Sequence, residues 1–453
     1  MSEPLSPPPP VEPTTNDGDS SAGSTRSVSV SLMLRLGALM FVQYAALGLW
    51  SVTVGTYIGE NTAPAGTAMF SSSFVGLAGI ASAVGALVAP LLFGALADSW
   101  FRTDRMITLL NLACGAMLVL MWSSTNQWWF LAAIIGYYQC SVPALTLTHS
   151  LTLRHLAGSR ELFSIVRASG TAGWILAMVI VGSLVPWYWG MPSKLVDAST
   201  WPMKMGATVH GVMIILSFAL PKTMPQAGRG SWRTLLHGCR ALLAMRPRLV
   251  RFLIVSFIAT ISAQFYNTFA NLYLNNKGVE NAATKLSLGQ VVEIVCMLLL
   301  PVLLVRWGPK RVFMIGVVAW IVRFLCLAYG STEGLGMALI YTAIMLHGVC
   351  YVFVYITGYI YVDHAATPHT QSAAQGMLAM ATSGLGHFSG SLLSGFMQAR
   401  YLTPAGVEVP PYDWRSFYMV AAGVSVVALV LFFVLMGFKR EVMPDDIDPH
   451  EAV

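Results

Sequence analysis

Of the 20 carboxylates in this chain, Glu293 alone falls well inside a run of residues apolar enough to cross a bilayer, and of its 26 Lys and Arg residues only Arg167 and Arg323 do. A charge at the centre of a spanning helix costs about 2.5 to 3.5 kcal/mol on insertion scales, so each needs a partner, a cavity or a function. A carboxyl in a low-dielectric cavity can take up and release a proton near physiological pH, which makes Glu293 the leading candidate for coupling protons to another event. A fixed ion pair between Glu293 and Arg167 is the structural alternative. Arg323, within Trp320-Ile-Val-Arg323-Phe324, reads as a structural partner for a helix end or loop.

Spacing places further polar groups beside these charges, because residues three and four apart share a helix face. Gln290 and Glu293 are three apart, as are Gln264 and Asn267; Arg167, Thr171 and Trp174 form an i, i+4, i+7 stripe; His347, Tyr351 and Tyr355 step by four. An amide pair can serve hydrogen bonding between helices alone. Four stripes on four segments together point to a lined cavity. Amides donate and accept, a guanidinium donates several hydrogen bonds in one plane, and aromatic faces stack on flat rings. Such a lining suits a neutral solute with hydroxyls and a planar heterocycle. A strongly anionic ligand would want more basic residues, a cationic one a carboxylate with fewer amides around it, and a plain sugar stays compatible. Gln43 and Trp50, seven apart, and His149 could line the same pathway, whereas His210 and His387 read as packing or interface residues.

The elements that must position these groups follow from composition. Hydrophobic residues make up 56% of the 453 and charged residues 10%, against roughly a quarter charged in a soluble domain. A soluble globule is excluded, and the apolar character is spread too widely for a single anchor or cleaved signal. A window of about 20 residues finds twelve spans: 32 to 58, 69 to 96, 105 to 124, 128 to 151, 162 to 184, 204 to 220, 250 to 274, 285 to 305, 311 to 330, 335 to 361, 371 to 398 and 416 to 438. The runs lack period-2 alternation and are too long for strands, so they are helices that satisfy their own backbone groups. Pro143, Pro301 and the glycines Gly384, Gly386, Gly390 and Gly395 read as kinks and close helix contacts.

Twelve spans place both termini on one side. That side carries 18 Lys and Arg and the other 6, so the positive-inside rule puts the termini in the cytoplasm and the chain, multi-pass, in the cytoplasmic (inner) membrane. The expected organisation is a disordered tail over 1–27, a six-helix bundle over 28–220, a basic cytoplasmic linker over 221–249, a second bundle over 250–438 and a tail over 439–453. From Pro221 to Val250 there are six Lys or Arg and no Asp or Glu. Attraction to anionic lipid explains that stretch better than nucleic acid, since no recognition fold accompanies it. The cysteines form no metal or disulfide pattern and read as small apolar fillers. No metal, no cofactor and no nucleic-acid partner is expected, and the expected state is a monomer in the lipid bilayer.

Between the second and third spans, Gly94-Ala-Leu-Ala-Asp98 followed by Arg102 and Arg105 is similar to the loop signature of the major facilitator superfamily, with Ser99 where a basic residue is usual. Arg306-Trp-Gly-Pro-Lys-Arg311 echoes it in the other half. More specific are Val318 to Gly330, Ser372-Ala-Ala-Gln-Gly-Met377, Leu96-Ala-Asp-Ser-Trp100, Arg167-Ala-Ser-Gly-Thr-Ala-Gly173, Gln264-Phe-Tyr-Asn267 and Gln290-Val-Val-Glu293. Through these the chain resembles the bacterial nucleoside:proton symporter family of that superfamily, over nearly its whole length after residue 30. The resemblance implies an all-α membrane protein of two six-helix bundles that takes up purine and pyrimidine nucleosides with protons. It also implies that Arg167, Thr171, Gln264, Asn267, Gln290 and Glu293 line the nucleoside site, with an aromatic at Tyr351. Val352 stands where relatives carry an acid, and His347 where they carry a tyrosine. The rival readings are transport of a sugar or nucleobase and, from another class, a non-transporting nucleoside receptor. An enzyme is not expected, because HExxH, GxSxG and paired intramembrane carboxylates are absent from the sequence.

Overall fold

A computed structural model describes residues 29–62, 69–71, 73–99, 102–156, 160–218, 220, 247–366, 370–401 and 413–437. The two terminal tails and most of the basic linker expected over 221–249 lie outside the described residues, as do the side chains from Gly94 to Asp98.

The chain is helical as the apolar runs require. In the first half α1 covers Val30–Ser51, α2 Val54–Glu60, α3 Phe74–Ser99, α4 Thr103–Ser123 and α5 Gln127–His155. It continues with α6 at Arg160–Val179, α7 at Val185–Trp189, the short α8 at Ser193–Asp197 and α9 at Trp201–Ser217. The second half holds α10 (Pro247–Asn276), α11 (Ala282–Tyr329), α12 (Leu335–Tyr351), α13 (Thr357–Ala365), α14 (Gln371–Ala379), α15 (His387–Tyr401) and α16 (Trp414–Met436). Eight helical runs are long and apolar enough to cross a membrane on length and composition alone. One of them, the 48-residue α11, makes two crossings, and α3, α9 and the joined α14 and α15 complete twelve.

The turn in α11 has a clear local cause. Gly308 adopts φ 76° and ψ 159°, a backbone conformation that side chains disfavour, and Pro309 follows it. The break falls inside the Arg306 to Arg311 segment that the sequence places between two spans.

Three π-helical segments interrupt the helices: Ile180–Leu184 joins α6 to α7, Val352–Ile356 joins α12 to α13, and Met380–Gly386 joins α14 to α15. Such wider turns are frequent at functional sites. Residues four apart drift by about 40° per step on a 3.6-residue helix. The π turn after Tyr351 counteracts that drift and keeps Tyr355 on the face of His347 and Tyr351.

Within the first bundle α1 packs on α6 and α9, and α5 on α3 and α4; within the second, α16 packs on α10 and α11. The halves meet where α3 runs along α15 and α6 approaches α11. Gln43 and Trp50 are buried inside the first bundle rather than in a pathway. Asn111 Nδ2 donates to Gln43 Oε1 at 3.1 Å, His210 Nδ1 meets Asn111 Oδ1 at 2.9 Å, and Tyr137 Oη meets His210 Nε2 at 3.0 Å. Trp50 lies edge-on to Tyr137 at 4.7 Å. Both residues therefore depart from the pathway role their spacing allowed, because the polar partners that satisfy Gln43 stand within their own bundle.

Candidate functional site

A cavity of about 500 Å³ lies between the two halves, within the roughly 300 to 1,000 Å³ usual for small-molecule sites. Arg167, Thr171, Trp174, Gln264, Asn267, Gln290, Glu293, His347 and Tyr351 all line it. Those nine come from α6, α10, α11 and α12, which are the four stripes picked out by spacing. The lining also holds residues the sequence reading left aside: Tyr44 from α1, Tyr266 and Asn271 from α10, Trp320 from α11, and His387 at the start of α15. His387, expected to be a packing or interface residue, lines this cavity between the halves with its Nε2 2.8 Å from Tyr355 Oη.

Glu293 is the one carboxylate among the lining residues. Its Oε2 lies 3.8 Å from His347 Nε2. The fixed ion pair with Arg167 is not formed among the described residues. Arg167 instead lays its guanidinium over the Tyr44 ring at 4.4 Å and places Nη1 3.5 Å from Thr171 Oγ1. Tyr44 Oη in turn sits 3.3 Å from His149 Nε2, so His149 supports the wall through Tyr44 rather than lining the cavity.

The position of Glu293 depends on an adjacent glycine. A Cβ built on Gly348 of α12 would fall onto the backbone of Val292 and Glu293 in α11. Only a residue without a side chain lets the two helices approach that closely. The preceding residue, His347, is held from behind: Arg323 Nη2 lies 3.3 Å from His347 Nδ1. A guanidinium only donates, so a neutral His347 accepts at Nδ1 and carries its hydrogen on Nε2, the atom nearest Glu293.

Arg323 is fully buried, and its guanidinium lies over Tyr266 with Cζ 3.1 Å from the ring centroid. The sequence marked it as a structural partner for a helix end. It is instead the rear support of His347 and Tyr266, whose rings stack at 5.6 Å. Tyr351 continues the stack at 6.0 Å from His347. Gln290 Oε1, an acceptor, and Trp174 Nε1, a donor, are buried and have no hydrogen-bond partner among the described residues, whereas Gln264 Oε1 accepts from Thr268 Oγ1 at 3.1 Å.

One wall of the cavity is therefore a ladder of aromatic rings, another carries amides, and a single acid, Glu293, and a single half-buried guanidinium, Arg167, stand between them. No group of three or more His, Cys, Asp or Glu able to hold a metal occurs among the described residues.

One acid that the sequence reading set aside is also buried. Asp197 ends α8 in the connection between the fifth and sixth crossings, where a loop carboxylate reads as solvated, yet it is 0% exposed. Its Oδ2 accepts from Asn275 Nδ2 of α10 at 3.0 Å. Asn271 and Asn275, four apart at the end of a predicted span, were the one sequence signal that a polar partner waited there.

Comparison with known proteins agrees with this architecture. Residues 30–442 match the family model described as "Nucleoside H+ symporter". YegT of Escherichia coli (strain K12) is 30% identical over 413 residues, covering 90% of this chain and 93% of that protein. The nucleoside permease NupG of the same organism is 28% identical over 433 residues, covering 92% and 98%. The crystal structure of NupG superposes with a TM-score of 0.79 at 26% identity, covering 90% of this chain and 100% of that one. These relatives are membrane transporters and not enzymes, and their fold is that of the major facilitator superfamily. The chain belongs to the nucleoside H+ symporter family.

Proposed function

We propose that this protein carries nucleosides together with protons across the cytoplasmic membrane by alternating access, with its termini in the cytoplasm and the monomer as its working unit. The observation that carries the proposal is a cavity between the halves in which one carboxylate, Glu293, shares the wall with Arg167, a set of amides and a ladder of aromatic rings. In this reading the bundles of 28–220 and 250–438 rock against one another about the cavity, the linker of 221–249 connects them, and its basic residues meet anionic lipid.

Each class of lining residue has a part in holding a nucleoside. The faces of Trp174 and Tyr351 offer stacking surfaces for the base, since aromatic rings prefer offset contact with other planar rings. Asn267, Gln264 and Gln290 can donate to and accept from base edge and ribose hydroxyls, and the two buried atoms without partners, Gln290 Oε1 and Trp174 Nε1, gain them when a ligand enters. Thr171 and Arg167 supply donors on the facing bundle. A neutral ligand fits because one guanidinium and one carboxylate leave little net charge in the cavity.

Glu293 carries the proton. A carboxylate is costly to enclose, whereas its protonated form can be sealed away from water at far smaller cost. Occlusion is therefore favoured when Glu293 is protonated and the nucleoside has paired the amides. A ligand shifts such an equilibrium only by its differential affinity for the two states. His347, whose Nε2 already carries a hydrogen, faces Glu293 at 3.8 Å as a neutral dipole and leaves the proton on the carboxyl.

Purified protein in proteoliposomes tests the proposal. Labelled uridine should accumulate when the outside is acidified, and unlabelled purine and pyrimidine nucleosides should compete where glucose and free nucleobases do not. Uptake indifferent to the pH gradient, or displaced equally by a sugar, would overturn it.

A further inference from the structure

We propose that Asp197 is a second protonation site, outside the nucleoside cavity, whose protonated form locks the two halves together on the membrane face opposite the termini.

That face is closed by a polar seam. Asn275 Nδ2 of α10 lies 3.0 Å from Asp197 Oδ2, 3.2 Å from Thr56 Oγ1 of α2 and 3.1 Å from Asn271 Oδ1. Thr56 Oγ1 donates to Asn271 Oδ1. Asn281 N donates to Ser193 Oγ at 2.8 Å, and Ser183 and Thr284 share a hydrogen bond at 2.7 Å. Asp197, Thr56, Ser193 and Ser183 belong to the first half; Asn271, Asn275, Asn281 and Thr284 belong to the second. Opening toward that side must break these bonds and let water reach Asp197.

The carboxyl is poorly provided for in the closed seam. One NH₂ group cannot serve all the oxygens around it, and Asp197 Oδ1 is buried with no hydrogen-bond partner. The charged and titratable groups on the surrounding elements are otherwise engaged. On α8, Lys194 pairs with Glu60 of α2 at 3.0 Å. Lys204 of α9 lies over Trp201 at 4.9 Å, and His210 is held by Tyr137 and Asn111. Lys277, beyond α10, lies 5.8 Å over Tyr273. Tyr57 of α2 stacks on Phe130, Tyr188 of α7 is exposed, and among the described residues neither Glu280 nor Lys285 forms a hydrogen bond or ion pair with Asp197. Among the described residues no cation pairs with Asp197, and burial pushes its carboxyl up to about 7, with Asn275 and Asn271 pulling the other way.

The linkage has a definite sign. Closure raises the affinity of Asp197 for a proton, so protons favour the closed seam most fully below the ordinary carboxylate range, and that preference is lost as pH rises through about 7. Opening toward the outside then becomes easier by up to about tenfold per pH unit between those limits and levels off above pH 7. The orientation rests on the function proposed above; the locking itself needs no nucleoside.

Spin labels at Tyr188→Cys and Glu333→Cys, exposed positions on the same face in different halves, report the seam by double electron-electron resonance. The chain should carry no other cysteine and should carry Glu293→Gln, so that the cavity acid does not titrate. The population with the labels far apart is expected to grow from pH 5 to 7 and then level. In Asp197→Asn, which keeps a neutral side chain at every pH, it should stay low and flat. If that variant does not fold, Asn275→Ala removes the donor and should move the levelling point to higher pH. An open population independent of pH with Asp197 present, an unchanged curve in Asp197→Asn, or an unmoved levelling point in Asn275→Ala would each overturn the proposal. Because no ligand is added, the outcome is separate from whether nucleosides are carried.

Discussion

Replacing Glu293 by glutamine removes the one carboxylate of the cavity while keeping its size and hydrogen-bonding reach. The consequence can be worked out from the energy of a proton gradient. Each pH unit supplies about 1.4 kcal/mol per proton, so a carrier moving one proton per nucleoside can accumulate its solute about tenfold for every unit imposed. With Glu293→Gln that ratio should fall to about one at any gradient, because the occluded state no longer takes a proton. Binding should change less, by at most about 1.5 to 3 kcal/mol, the usual worth of a hydrogen bond to a charged group. Uridine uptake into proteoliposomes with an acid exterior measures accumulation. Counterflow against internal unlabelled uridine, which needs no gradient, measures whether the cavity still binds and turns. Counterflow with accumulation lost is the expected pair. Accumulation undiminished in Glu293→Gln would refute the assignment and place the coupling outside this carboxyl.

Two further perturbations probe binding and assembly. Arg167→Ala removes the guanidinium from the first-half wall and should weaken uridine binding by about 10- to 150-fold, equivalent to about 1.5 to 3 kcal/mol; calorimetric titration in detergent reads this directly, and a change below twofold would remove Arg167 from the site. Gly348→Ala drives a methyl group into the backbone at Glu293, and overpacking of this kind costs about 1 to 3 kcal/mol; the thermal midpoint of the purified protein should fall and accumulation should weaken, while an unshifted midpoint would mean that α11 and α12 separate freely.

Much of the candidate site was legible before any coordinates because the bilayer makes polar residues conspicuous. Glu293 and Arg167 stand out only because their runs are otherwise apolar, and a spacing of three or four fixes which neighbours share their face. Tyr44, Tyr266 and Trp320 were missed for the converse reason: aromatic residues are common in spanning helices, and nothing in the spacing of Gln264 and Asn267 says that Tyr266 between them also reaches the cavity. Gln43 and Trp50 have the right spacing and the wrong direction, since a helical stripe states its period but not which neighbour it faces.

The sequence by itself determined the class of the protein, its twelve crossings, the break near Gly308 and the residues that cluster at the centre, because the cost of exposing backbone or charge to lipid is set by local composition. Tertiary structure alone decided that Arg323 would stand behind His347, that Gly348 would seat α12 against Glu293, and that a loop carboxyl at Asp197 would be buried against Asn275, 78 positions away. Burial and electrostatic surroundings are properties of what lies across a contact, and no window along a single chain contains both sides of it.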